Sequence, residues 1–207
     1  MRPSAGGTSQ GALPPYFGQW ESPRRIRGFL AGRDAAQDPL WPASGAQTAA
    51  EYALWADHLC GMACLKMALA TRGQAWTIHA LRRAVQRHGG YVETPEGIKG
   101  LIYSGAVEWL RTQGVAAAIR VDLTAGRLAG LLARHLIIAS VHPAIRRPEH
   151  KAPGRGGHLV LLFGTDSQGC LRFHNPSGDS AATRRDVRLT SRQFGRFFAG
   201  RGILLPR

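Results

Sequence analysis

HLCGMACLKMAL, residues 58–69, carries two of the chain's three cysteines, Cys60 and Cys64, one helical turn apart. Cys60 directly precedes Gly61, and the apolar run beyond it continues to Thr71 before Gly73 ends it. A helix starting near Cys60 would place that sulfur at its N-terminus, where free N–H groups and the dipole favour a thiolate. Gly61 would then leave room for a substrate to approach. Cys64 falls a turn further in, beside Leu65 and Met67, where a small buried hydrophobe is expected. For Cys60 three readings compete at this level: a nucleophile, half of a metal site, or a small core residue.

Outward from this stretch the pattern is first helical. Thr48 is placed to cap AAEYALWADHL, with Glu51 completing a capping box. Thr77 would cap IHALRRAVQRH, which stops at Gly89-Gly90, and LIYSGAVEWLRTQ is an amphipathic helix closed by Gly114. After Gly114 the period changes. VAAAIRV, LIIASVH, HLVLLFGTD and CLRFHNP read as strands, AGRLAGLLARH and SRQFGRFFAG as helices, and RGILLP as a terminal strand. Helices first and strands mostly after predict an α+β fold. Residues 1–14, rich in Gly, Pro and Ser, are expected to be a disordered tail, and 15–207 a single domain. Within it, residues 21–47 lack periodicity and read as a long loop packed by Phe29, Leu30 and Trp41.

Composition narrows the class. A chain of 207 residues, 44% hydrophobic and 19% charged, suits one soluble globular domain with a sizeable core. Three cysteines, an odd number, argue against a disulfide framework. The start lacks an apolar signal-peptide core and the longest apolar runs are too short to cross a bilayer, so a cytoplasmic protein without a membrane partner is expected. The net charge of +14 is almost entirely arginine, and its pairs (Arg24/Arg25, Arg82/Arg83, Arg146/Arg147, Arg184/Arg185) are dispersed without interleaved aromatics. A nucleic-acid partner is therefore not expected. The pattern is silent on oligomeric state.

A cysteine nucleophile needs a base. Of eight histidines, His158 has the most informative setting: it follows Gly156-Gly157 and opens the strand LVLLF, so its ring would stand at the strand's mouth. Asn175, one strand later, would offer its side-chain carbonyl to the second ring N–H. Cysteine, histidine and asparagine in that chain order satisfy the logic of a triad. A zinc site drawn from His142, His150, His158 and Cys60 matches no compact ligand spacing, so neither metal nor cofactor is expected. GRGGH lacks the lysine and hydroxyl residue of a phosphate loop. Arg146 and Arg147, on the loop before His158, are placed to meet an acidic substrate group.

Taken together, LCGMACLKMAL, GGHLVLLFGTD and FHNPSG, with YFGQW upstream, resemble the cysteine, histidine, Asp/Asn and glutamine motifs of the C39-like peptidases. These are papain-fold cysteine proteases, and the chain is similar to stand-alone actinobacterial members over nearly all of residues 14–205. The resemblance implies a helical half packed on an antiparallel sheet. It also implies Cys60 as nucleophile, His158 as base, Asn175 as the residue orienting it, and Gln19 as oxyanion-hole donor. In the family the glutamine usually lies a few residues before the cysteine, whereas here segment 21–47 intervenes and reads as an insertion. Gln47 is the rival donor. The chemistry implied is a thioester on Cys60, formed from a peptide or acyl substrate and released by hydrolysis. The alternatives are acyl transfer to an amine in natural-product assembly and a non-catalytic binding module.

Overall fold

The computed structural model describes residues 13–207. Its helices are α1 (Ile26–Leu30), α2 (Ala49–Ala56), α3 (Cys60–Ala70), α4 (Ile78–Gln86), α5 (Tyr103–Thr112), α6 (Ala125–Leu132), α7 (Ala181–Arg184) and α8 (Ser191–Gly195). The strands are β1 (Glu93–Thr94), β2 (Gly97–Ile98), β3 (Ala118–Arg120), β4 (His135–Val141), β5 (His158–Thr165), β6 (Leu171–His174), β7 (Val187–Leu189) and β8 (Phe198–Pro206).

Hydroxyl caps start the helices as the sequence predicts. Thr48 Oγ1 accepts the Glu51 N–H at 3.0 Å, and Thr77 does the same for Ala80. Glu51 does not close the expected box, because its carboxylate takes the Gln47 N–H and pairs with Arg82 and Arg83 of α4. That ion-paired carboxylate joins α2 to α4.

Strands β3 to β8 form one antiparallel sheet in the order β3-β8-β4-β5-β6-β7. Side chains alternate across it. Leu136, Ile138, Leu159, Leu161 and Ile203 face a core built with α3, α4 and α5. Ile137, Ala139, Val160, Leu162 and Leu204 face a second core with α6 and α8. The central strands are thus apolar on both faces, which explains runs such as LIIASV and LVLLF in an antiparallel sheet. The architecture is α+β, as expected.

Several expectations about individual elements are corrected. SRQFGRFFAG is helical only over its first half, and from Phe198 the chain extends to pair with β4, because tertiary pairing outweighs local preference. VAAAIRV is a strand only over Ala118–Arg120. The hairpin β1–β2 and strand β7 carried no signal strong enough to be read. Segment 21–47 holds α1 and short helical turns at Pro23–Arg25, Ala35–Gln37 and Trp41–Ser44. It is pinned by buried Asp38, which accepts from Ser22, from the Leu40 N–H at 3.0 Å and from the Tyr52 hydroxyl at 2.7 Å. Phe29 is buried there, whereas Leu30 is exposed.

Of the expected tail, residues 1–12 lie outside the described residues, and the chain is packed from Leu13 onward. His174 Nε2 donates to the Pro14 carbonyl at 2.8 Å, and the Gln19 N–H donates to the Pro176 carbonyl at 3.1 Å. Trp20 then enters a small core with Ile26, Phe29, Tyr52 and Ala56. Residues 13–20 therefore lace one end of the sheet to the helical half. Among the described residues no helix is long and apolar enough to cross a membrane.

The buried histidines make this fold acid-sensitive. His174 is neutral, since Nδ1 accepts the Asp186 N–H at 3.0 Å, and burial lowers its pKa from 6.5. His79 is fully buried, neither ring nitrogen has a hydrogen-bond partner among the described residues, and burial, then Arg82, pushes it down to about 4. Both rings bind protons more readily once unfolded, so stability is full above about pH 6.5 and declines as pH falls toward 4. Urea midpoints measured at about pH 7, 6 and 5 should fall in that order. His79→Leu, which removes two orphaned polar atoms, should flatten the decline and add about 1 kcal/mol near neutrality.

Candidate active site

Cys60 is the first residue of α3, and the preceding Leu59 supplies no side-chain cap, so the first N–H groups of the helix remain open beside the sulfur. Gly61 sets how close this helix end comes to the sheet. A Cβ there would lie 2.7 Å from Leu101 Cδ2 and 2.9 Å from Leu159 Cδ1. The space that the sequence reading reserved for substrate is filled by these two leucines. Cys64 is fully buried in the core, as expected, while Cys60 and Cys170 are partly accessible, and all three are free thiols.

His158 opens β5 after Gly156 (φ 86°) and Gly157 (φ 91°), both in the left-handed region that glycine accepts without strain. The ring is buried, yet it lines a cavity of about 440 Å³ together with Cys60. Leu101, Leu159, Gly100 and Gly157 supply most of the remaining wall, and Tyr103, Ser140 and Arg201 supply its polar part.

Behind the ring the hydrogen bonds fix the tautomer. Asn175 Oδ1 accepts the Ser177 backbone N–H at 3.2 Å and stands 2.8 Å from His158 Nε2. The atom that receives a backbone N–H is the amide oxygen, so the imidazole must donate from Nε2, and Nδ1 keeps the lone pair. Ser177 Oγ lies 2.9 Å from the same Nε2 and accepts from Arg146 Nη2 at 2.6 Å, while Arg146 Nε donates to the Ser177 carbonyl at 2.7 Å. Ser177 escaped the sequence reading, and Arg146, expected to meet a substrate acid, instead holds Ser177. The signal for Ser177 was present: Asn-Pro-Ser-Gly is a turn in which an Asn side chain takes the N–H two residues on.

Burial works against charge on both Cys60 and His158. Burial first, then Arg146, lowers the His158 pKa to about 4 despite the Asn175 bond that opposes the shift. Burial raises the Cys60 thiol, against the pull of the Leu159, Gly61 and Cys60 backbone N–H groups and of Arg146. A thiol and an imidazole, each disfavoured in its charged form, thus line the same cavity.

Other predicted residues fall elsewhere. Gln19 is buried beside this centre, with its backbone on Pro176 and its Nε2 donating to the Ala56 carbonyl at 3.0 Å, and it does not line the cavity. Gln47 is exposed at the entry to α2. Arg147 pairs with Asp179, so neither arginine of that loop reaches the cavity as the sequence reading expected. Among the described residues no group of three or more His, Cys, Asp or Glu is arranged to hold a metal ion.

No protein-family model matches the chain, and no curated protein matches it significantly. Solved structures do. The peptidase domain of Streptococcus ComA, a bifunctional ABC transporter involved in quorum sensing, superposes with a TM-score of 0.50 at 17% identity, covering 72% of this chain and 93% of that one. A C39-like peptidase of Bacillus anthracis gives 0.51 at 14% identity, covering 73% and 90%. The fold is therefore the papain-like fold of C39 peptidase domains.

Two measurements test this geometry. Gly61→Ala should cost about 1–3 kcal/mol in chemical denaturation, because the new methyl meets both leucines. Long-range nitrogen NMR should find the His158 ring protonated at Nε2 alone near pH 7, with Asn175→Ala disturbing that preference.

Proposed function

We propose that this chain is a cysteine-dependent acyl enzyme whose most fitting reaction is hydrolysis of a peptide or amide bond. The observation that supports it is one cavity shared by a sulfur at a helix N-terminus and an imidazole whose free nitrogen is fixed as Nδ1. In this reading His158 Nδ1 takes the proton from Cys60 Sγ as the sulfur attacks the carbonyl carbon. The tetrahedral oxyanion is met by the Cys60 N–H at the open helix end. Gln19, buried next to the cavity rather than lining it, is the second donor in this proposal, since its amide keeps a further N–H beside the one held by Ala56 and has only to turn toward the sulfur. The imidazolium then protonates the leaving amine as the carbonyl reforms, leaving a thioester on Cys60. Water, deprotonated by His158, attacks the thioester and releases the acid and the thiol. Asn175 holds the ring in register throughout, and Ser177 and Arg146 hold Asn175 and the ring edge. An amine in place of water would complete an acyl transfer by the same steps.

Alkylation with iodoacetamide followed by peptide mapping tests the nucleophile. Cys60 should be modified ahead of Cys64 and Cys170, and His158→Ala should remove that lead; equal sluggishness of all three thiols rules the assignment out. The rate at Cys60 should hold from neutrality down to about pH 5 and drop only as pH falls through about 4, where the buried imidazole gains its proton. On an activated acyl donor, His158→Ala should lose on the order of 10²-fold or more. Asn175→Ala should lose less, and Gln19→Ala should lose more than Gln47→Ala. Mass analysis of products with and without added amine separates hydrolysis from transfer.

A further inference from the structure

The cation in the cavity is Arg201, which the sequence reading did not single out. It arrives there through an irregularity in the sheet. Pairing of β4 with β8 shifts between Ala139↔Gly202 and Val141↔Phe198, so Ser140 faces a stretch containing Ala199, Gly200 and Arg201. Gly200 takes φ 71° within it. Bulges of this kind bend a strand and re-aim a side chain. Here the guanidinium is directed to the wall of the cavity.

Two hydroxyls accompany it. A Cβ placed on Gly156 would lie 3.4 Å from Arg201 Nη2 and 3.5 Å from Ser140 Oγ, so both groups converge on one spot. The Tyr103 hydroxyl, from the first residue of α5, stands beside the same two groups. Arg201 forms no ion pair among the described residues, and no acidic residue lines the cavity. A guanidinium and two hydroxyls thus meet without an anion, next to Cys60 and His158.

We infer that this wall is a subsite for a carboxylate on the substrate, an inference that rests on the reading of Cys60 and His158 as the reacting pair. A guanidinium offers two parallel N–H groups matched to two carboxylate oxygens, and the hydroxyls supply further donors. One cation with two neutral donors suits a monoanion better than a phosphate dianion. Leu101 and Leu159 line the rest with apolar surface. The substrate class is therefore a small acyl or peptidyl compound that carries an acid group close to the bond broken.

The test compares alkylation of the full-length protein by N-bromoacetylglycine and by its neutral primary amide, mapped at Cys60 and at Cys170. The acid should modify Cys60 about tenfold faster than the amide, as one charge-assisted contact allows. Cys170, which experiences the same overall positive charge, should show little preference. Arg201→Gln should bring the Cys60 ratio to near unity, chiefly by slowing the acid. The α-amide of N-bromoacetylaspartate, whose only acid is its side chain, tells whether a terminal or a side-chain carboxylate fits better. Equal rates for acid and amide at Cys60, a ratio matching that of Cys170, or equal slowing of both reagents in Arg201→Gln would overturn the subsite. If Cys60 resists every reagent, the nucleophile reading fails, and hippurate and hippuramide then probe the wall as reversible ligands. Hippurate should shift the Arg201 Nε–H resonance and hippuramide should not; no shift with either would overturn the subsite separately.

Discussion

The contact on which the rest depends is the approach of α3 to the sheet at Gly61. A helix end can present its N–H groups and a cysteine to a neighbouring strand only if nothing bulky intervenes. With a side-chain carbon at position 61, Leu101 and Leu159 would be displaced. Without one, they close over the glycine, the core is complete, and the sulfur stands at the opening of β5 where the histidine begins. A packing requirement and a chemical requirement are met by the same missing methyl.

Electrostatics around this point run against the chain's overall character. A protein with a net charge of +14 disfavours charge on Cys60 and His158 by burying them, and places the Arg146 guanidinium behind the ring rather than in the cavity. A positive charge there favours a sulfur anion and disfavours an imidazolium, so the two effects partly cancel in the pair while the cation holds Ser177 by two hydrogen bonds. Burial of both groups therefore works against a preformed thiolate–imidazolium ion pair.

How much of this was legible in the sequence follows from the range of the forces involved. The helices were readable because caps such as Thr48 and Thr77 act within one turn. Strands β4 and β5 were readable because their apolar runs are continuous, and the positions of Cys60, His158 and Asn175 at element ends followed from those boundaries. What was not readable depends on pairing between distant segments. Phe198 begins a strand only because β4 offers it a ladder, and Arg201 enters the cavity only because that ladder slips beside Ser140. Gly61 was noticed, but a lone glycine does not say which neighbour needs the space. Arg146 was noticed too, yet its partner Ser177 lies in a turn whose proximity no local pattern reports.

Because the sheet is covered on both sides, β4 and β5 have almost no side open to water. In most antiparallel sheets every second position is free to vary among polar residues. In β4 and β5 that freedom is missing, and neighbouring residues alternate between two separate interiors. A polar substitution in the middle of this sheet would bury an unpaired group on either face, a cost that the helices' outer surfaces, the edge strands and the arginine-studded loops do not carry. A fold so partitioned can lose recognisable sequence kinship and still keep its shape.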